Sequence, residues 1–231
     1  MGSSRSGTTM MGRILDNHPS ILTFKELHFF GTIWANSNSQ KLSQDEQIQL
    51  LSRLFCIQEN GVFNQKNISE FNERSKRLLE DKILDSLAIY DLFLKEVTIE
   101  NSSTISCEQT PNNIYYLNEI LEHFPNSKVI NMVRDQRDVL LSQKNKWKRR
   151  FLGASAIPFS EAIRSYINYH PILTSKVWNS SLEHTFRYKN HKRVKIVKFE
   201  ELLINSVETV KDICDFLDID FYEKMLEVPV I

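Results

Sequence analysis

The sequence predicts an α/β fold in which a parallel sheet is covered on both faces by helices. Three observations predict it. Four short apolar runs, at Ile21–Phe24, Thr104–Cys107, Lys128–Val133 and Val194–Phe199, are each followed by an apolar pattern at helical spacing. The chain opens on Met-Gly-Ser-Ser-Arg-Ser-Gly-Thr-Thr, a glycine-spaced loop that runs directly into a helical pattern. With 231 residues, 41% of them hydrophobic, one α/β core can be buried without metals or disulfides. Strands alternating with helices pair in parallel, because each crossover lays a helix over a face of the sheet.

The opening loop has the chemistry of an anion cradle. Gly2 and Gly7 can turn consecutive amide N–H groups toward one point. Ser4, Ser6, Thr8 and Thr9 add short hydroxyl donors, and Arg5 adds a forked cation. The helix that opens near Thr9 brings its positive end to the same place. The Gly2-to-Gly7 spacing is that of the nucleotide-triphosphate loop G-x-x-x-x-G-K-[ST], but Thr8 stands where that loop has lysine, which argues against ATP hydrolysis. A flexible Ser/Gly-rich leader is the alternative. Met10, Met11, Ile14 and Leu15, at helical spacing behind the loop, are built to pack and speak against it. Such loops hang from a buried strand, and only Met1 and Gly2 come before this one. The sequence therefore predicts that the first strand is missing from the chain.

The remaining elements follow in order. Ile21–Phe24 forms a short strand after His18-Pro19. From Ser43 to Glu96 the apolar residues, among them Leu50, Leu51, Leu54, Phe55, Leu78, Leu79, Ile83, Leu84 and Leu87, keep helical spacing, and no strand signal interrupts them. This predicts a helical insertion over about 43–96. After the strand Thr104–Cys107, Thr110-Pro111 starts a helix to about Phe124, with proline where its missing N–H costs nothing. Val129, Ile130, Met132 and Val133 form a buried strand with Arg134 at its C-terminal end, the edge where open α/β sheets hold ligands. Ser142 lies two helical turns further on, so its hydroxyl can point back to the same place. An Arg134–Asp135 or Arg137–Asp138 surface pair beside a solvated serine is the plainer reading of the same string. Asn205, with Glu208 three residues later, starts the helix that ends near Leu217.

Composition limits the functions available. There are 29 basic and 29 acidic residues, so no wholesale nucleic-acid or membrane-surface binding is expected and an anionic ligand must be held locally. Cys56, Cys107 and Cys214 are widely spaced, which suits a reduced compartment and offers no CxxC site; no bound metal is expected. No apolar run reaches membrane-spanning length. The chain as it stands is expected to be cytoplasmic, and a Golgi anchor or signal would have to lie upstream of Met1.

The segments RSGTT (Arg5–Thr9), HPSI (His18–Ile21), EQTP (Glu108–Pro111), FPNSKVINMVRDQRDVLLS (Phe124–Ser142) and VKFEELLINSVETVKDICDFLDI (Val197–Ile219) together resemble the sulfotransferase family. They are most similar to the branch of tyrosylprotein and carbohydrate sulfotransferases, and they occur in the family's order along nearly the whole chain. The resemblance implies one sulfotransferase domain over residues 1–231, with a P-loop-like three-layer fold whose N-terminal part is truncated. It implies transfer of a sulfuryl group from 3′-phosphoadenosine 5′-phosphosulfate to a hydroxyl of a carbohydrate, protein tyrosine or small molecule. Arg5, Ser6, Gly7, Thr8 and Thr9 would hold the 5′-phosphosulfate, and Arg134 and Ser142 the 3′-phosphate. Two separated anion sites suit a bisphosphorylated nucleotide. Phe199 falls where the family usually places a tyrosine beside the nucleotide, and it reads equally well as a core aromatic at a strand end.

By the same resemblance, Glu26 is the base that deprotonates the acceptor; a half-buried carboxylate, with its pKa raised, suits that task. His28 competes with it, and His18, beside Pro19, reads as structural. Two departures from the family stand out. Gln109 replaces a lysine thought to support the moving sulfonate, so it keeps hydrogen bonding but not charge. The RKG element of the cytosolic small-phenol branch is absent from the sequence. The basic run Lys144, Lys146, Lys148, Arg149 and Arg150 around Trp147 reads as a solvated helix end, or as a further phosphate contact through Lys146. The insertion and the segment Phe151–Ser181 are expected to shape the acceptor pocket. A P-loop nucleotide kinase or phosphotransferase, and an inactive binder of nucleotide or anionic glycan, are the alternative functions.

Overall fold

A computed structural model of the chain describes residues 1–34, 41–80, 82–152 and 157–228. The fold is α/β with parallel strand pairing. Its residues group into two compact units, one formed by Met1–Met11 and Pro111–Ile231, the other by Gly12–Thr110.

In the second unit, β1 (Ile21–Thr23) and β2 (Ile105–Cys107) pair in parallel, Ile21 opposite Ile105 and Thr23 opposite Cys107. A parallel pair needs a long crossover, and here the helical insertion supplies it. The insertion holds α2 (Gln44–Asn60), α3 (Asn72–Leu79) and α4 (Ser86–Glu100). Asp81, which the expected range includes, lies outside the described residues. Ser43 and Glu46 close a reciprocal capping box at the start of α2, and Asp85 caps α4 through the Ala88 N–H at 2.8 Å. Each cap satisfies N–H groups that the first helical turn leaves open. Helix α2 packs on α3 and α4. Leu51, Leu54, Phe55, Ile57, Leu79, Ile89 and Phe93 are buried together with Phe24 and Leu27. Phe93 meets Phe55 edge-on at 5.2 Å and Phe24 at 5.6 Å. This apolar burial is the main favourable term for the unit.

In the first unit, α5 (Leu117–His123) precedes β3 (Val129–Val133) and α6 (Gln136–Lys144) follows it. Helices α7 (Phe159–Ile167) and α8 (Pro171–Arg187) then lead to β4 (Val194–Lys198). β3 and β4 pair in parallel from Val129–Val194 to Val133–Lys198. Helices α9 (Phe199–Ile204) and α10 (Ser206–Leu217) follow, and then a 3₁₀ turn, Glu223–Leu226. Ile114, Leu117, Leu121, Val129 and Val194 form a core cluster. Met1 and Gly2 run beside β3, with the Met1 amino group on the Ile130 carbonyl at 2.9 Å and the Met132 N–H on the Met1 carbonyl at 2.9 Å. These two residues stand where the strand before the loop is expected.

Two boundaries and one cap differ from the sequence reading. Pro111–Tyr116 forms a 3₁₀ helix, and the α-helix starts only at Leu117. The Thr110 side-chain oxygen, expected to cap it, accepts the His28 N–H at 3.2 Å. Phe199 opens α9 and does not end β4, so the aromatic belongs to a strand-to-helix corner. Asn205 precedes α10, but its side chain accepts no capping hydrogen bond from the described residues.

Candidate functional site

The opening loop leads into α1 (Thr8–Asp16). Gly2, Arg5 and Gly7 all take positive φ, at 140°, 73° and 90°. A non-glycine residue in that region is strained, and such strain is held in place only by its surroundings. For Arg5 the surroundings are two residues of the second motif. Its Nε donates to Ser142 Oγ at 2.9 Å, and its carbonyl accepts from Arg134 Nη1 at 3.3 Å. Gly7 is required for a different reason. A Cβ there would lie 2.6 Å from Phe199 Cε2 and closer still to Cδ2, so no larger residue fits against this ring.

Arg134 follows directly on β3. Its guanidinium lies over the Phe199 ring, 4.5 Å from the centroid, a cation–π contact. It also pairs with Asp138 at 3.8 Å, and its carbonyl accepts from Trp178 Nε1 at 3.1 Å. Asp135 caps α6 through the Arg137 N–H at 2.8 Å and pairs with the Arg137 guanidinium at 2.9 Å. The bonds from Arg137 hold the Asp135 carboxyl down at about 2. Ser142 sits on the following two turns of this capped helix, which accounts for its reach back to Arg5. Phe199 is placed by the β4–α9 corner. Glu200, the next residue, accepts the Asp135 N–H at 2.9 Å and ties that corner to the start of α6.

Two polar atoms in these segments are buried with no hydrogen-bond partner among the described residues: Ser6 Oγ and Arg134 Nε. Buried donors are normally satisfied. Both lie in the segments that the sequence reading assigns to an anion, and an anionic oxygen could accept from each. Ser6 is wholly buried and Thr8 nearly so, whereas Thr9 is exposed. The basic run follows α6 in a 3₁₀ helix, Lys146–Leu152, with Lys144, Lys146, Lys148 and Arg149 exposed and Trp147 edge-on to Tyr166 at 5.5 Å. Of the segment expected to shape the acceptor pocket, residues 153–156 lie outside the described ones.

Glu26 belongs to the other unit, in the turn after β1. Its Oε2 is 3.5 Å from His28 Nε2, and both side chains are partly exposed. Leu27, between them, is fully buried and pins the turn. His18 is buried, and its Nδ1 accepts the Ser20 N–H at 3.1 Å, a structural role. Gln109 donates from Nε2 to the Phe24 carbonyl at 3.1 Å. Its Oε1 faces Gly12, where a Cβ would approach to 2.5 Å, and has no partner among the described residues. Burial pushes the Cys107 thiol up to about 11, which keeps it protonated and unreactive.

The structure therefore brings Arg5, Ser6, Gly7, Arg134, Ser142 and Phe199 together within one unit, and it places Glu26 and His28 side by side in the other. Sequence reasoning missed the roles of Glu108 and Thr110. The EQTP string is visible, but its bonds to backbone amides about eighty positions earlier leave no local signature. No group of three or more His, Cys, Asp or Glu side chains suited to a metal occurs among the described residues. No described helix is long and apolar enough to cross a membrane.

Known proteins give this arrangement its context. The chain is 23% identical over 230 residues to the protein-tyrosine sulfotransferase of Drosophila melanogaster, covering 97% of this chain and 38% of that protein. It is 30% identical over 138 residues to protein-tyrosine sulfotransferase 1 of Mus musculus, covering 59% of this chain and 30% of that protein. It thus spans well under half the length of either relative. Among solved structures, the sulfotransferase domain from the curacin biosynthetic pathway superposes with a TM-score of 0.61 at 19% identity, covering 98% of this chain and 75% of that one. The sulfotransferase domain of the Synechococcus PCC 7002 olefin synthase superposes with a TM-score of 0.58 at 19% identity, covering 97% and 74%. At this identity the likeness establishes the fold, which is the P-loop-like fold of these domains. Residues 1–223 match the model of the sulfotransferase family, and the chain belongs to that family.

Proposed function

We propose that the protein transfers a sulfuryl group from 3′-phosphoadenosine 5′-phosphosulfate to a hydroxyl, and that a tyrosine side chain of a protein is the acceptor. The observation that carries the donor assignment is the convergence of Arg5 on Ser142 and of Arg134 on Phe199 and the Arg5 carbonyl. A donor with phosphates at both the 5′ and 3′ positions needs two anion sites, and in this reading the opening loop is one and the β3–α6 segment the other. Ser6, Gly7, Thr8 and Thr9 would hold the 5′-phosphosulfate by N–H and hydroxyl donors at the start of α1. Arg134 and Ser142 would hold the 3′-phosphate. The partnerless Ser6 Oγ and Arg134 Nε fit that role. The acceptor class is supported by the names of the relatives, protein-tyrosine sulfotransferases.

In the transfer, the acceptor oxygen forms a bond to sulfur while the bond from sulfur to the 5′-phosphate oxygen breaks, and that oxygen keeps the electron pair. Glu26 takes the hydroxyl proton, assisted by His28 at 3.5 Å. Arg5 and the loop donors offset the negative charge that grows on the leaving phosphate. Positioning and charge complementarity supply most of the acceleration, as in phosphoryl transfer.

One observation favours a second reading, a nucleotide binder without turnover. The Gln109 side chain is spent on the Phe24 carbonyl and packed against Gly12. Where the family's lysine would lend charge to the sulfonate, this chain has a tethered neutral amide. Calorimetry on the full chain tests the donor class. 3′-Phosphoadenosine 5′-phosphate should bind, and ATP with magnesium should not; the reverse order would assign the loop to a phosphotransferase.

A further inference from the structure

We propose that Glu108 and Thr110 are positioning residues for Glu26, fixing the backbone of the Glu26–His28 turn so that the Glu26 carboxylate is presented to the acceptor. The proposal rests on the reading of Glu26 as the proton acceptor. Glu108 Oε1 accepts the Leu27 N–H at 3.4 Å, its Oε2 accepts the Thr110 N–H at 3.0 Å, and the Thr110 hydroxyl donates to Oε1. Thr110 Oγ1 in turn accepts the His28 N–H at 3.2 Å. The two amides that follow Glu26 in the chain are thus held by two side chains of the EQTP string. Upstream of the turn, the Phe24 N–H is held by the Cys107 carbonyl at 2.8 Å. Downstream, Phe29 stacks on Tyr90 with the rings 4.0 Å apart and 5° from parallel. The turn is fixed on both sides of the residue whose side chain carries the chemistry.

Two further features mark this as more than turn closure. His28 has φ 51°, left-handed and uncommon for a residue other than glycine, and such a conformation persists only when its surroundings over-determine it. The clamp is also a costly one. Burial drives the Glu108 carboxyl above its ordinary range in spite of the bonds that Thr110 and Leu27 donate to it. A half-buried carboxylate is an expensive way to hold a turn that a neutral acceptor could close. It does, however, accept on both oxygens. Glutamine accepts on one only and would turn an N–H₂ toward either Leu27 or Thr110, donor against donor.

The test uses the full chain with 3′-phosphoadenosine 5′-phosphosulfate and a tyrosine-containing peptide. Amide hydrogen exchange at Leu27 and His28 should speed up in Glu108→Gln. In the same variant kcat should fall about 10- to 100-fold, the cost of a small misplacement of a reacting group. The donor KM and the affinity for 3′-phosphoadenosine 5′-phosphate should not change. Thr110→Val should behave like Glu108→Gln, and Thr110→Ser, which keeps the hydroxyl, like the parent. In a Glu26→Gln background, adding Glu108→Gln should change the residual turnover by less than about two-fold, since groups that act as one unit are not additive. An equal loss in both backgrounds would overturn the proposal, as would faster exchange with no loss of kcat. If Glu26→Gln alone keeps full turnover, the proton-acceptor reading fails and the proposal with it. A slow Glu26→Gln beside a fully active Glu108→Gln overturns the positioning role alone.

Discussion

Arg5 Nε donates to Ser142 Oγ at 2.9 Å, joining two residues 137 positions apart. This bond ties the opening loop to the helix that follows β3 and holds the two segments side by side. Arg134 completes the link through the Arg5 carbonyl and the Phe199 face.

If Arg134 holds a 3′-phosphate, Arg134→Ala should remove most of the preference for adenosine 3′,5′-bisphosphate over adenosine 5′-monophosphate. A charge-assisted contact is worth about 1.5–3 kcal/mol. The ratio of the two Kd values, measured by calorimetry, should collapse by roughly 10- to 100-fold. Equal affinity of the parent protein for both nucleotides would contradict the assignment.

Gly7→Ala drives a methyl group against the Cδ2–Cε2 edge of the Phe199 ring and imposes φ 90° on an L residue. The variant should lose about 1–3 kcal/mol of stability and most of its nucleotide affinity. Adding Phe199→Ala should relieve the clash but not the backbone strain, so recovery of thermal stability should be partial. Full recovery would assign the whole cost to the ring.

The sequence made the second motif legible because a strand, an arginine and a helical serine follow one another at fixed spacing. Glycines, hydroxyls and arginine in eight positions made the loop equally plain. The insertion was readable because Leu50, Leu51, Leu54 and Phe55 repeat at helical spacing. The 3₁₀ start at Pro111 was not, since the Thr110 side-chain oxygen, the group expected to cap a helix there, accepts the His28 N–H from 82 positions earlier, a tertiary bond with no local signature. The place of Phe199 was misread for a related reason. Its ring packs on Gly7, 192 positions before it, and on Arg134, 65 positions before it. Nothing in the local pattern VKFEE separates a strand end from a helix start.

The cap of α6 gives a pH dependence with a definite sign. The Asp135 carboxyl is held at about 2, below its ordinary value of 3.8, by bonds from Arg137. A depressed folded-state pKa adds stability above the unfolded pKa, and that stability is lost as pH falls through the folded one. The contribution should thus be complete above about pH 5 and fade toward pH 2. Asp135→Asn should lower Tm at pH 6, and its difference from the parent should shrink at pH 3. Carbon-detected titration of the Asp135 carboxyl should place its midpoint well below 3.8.

Glu26→Gln keeps the shape of the side chain and removes the proton acceptor. Turnover should fall by roughly 10²–10⁴-fold with nucleotide binding nearly intact. Full activity together with a dead His28→Ala variant would transfer the role to His28.

The central claim is sulfuryl transfer, and product analysis tests it most directly. The full chain is incubated with 3′-phosphoadenosine 5′-phosphosulfate and a tyrosine peptide, and both products are measured by mass spectrometry. The account predicts one equivalent of 3′-phosphoadenosine 5′-phosphate for each peptide that gains SO₃, with neither product formed by Arg5→Ala. Tight nucleotide binding with no sulfated product across tyrosine, carbohydrate and small-phenol acceptors would contradict it and leave a nucleotide binder.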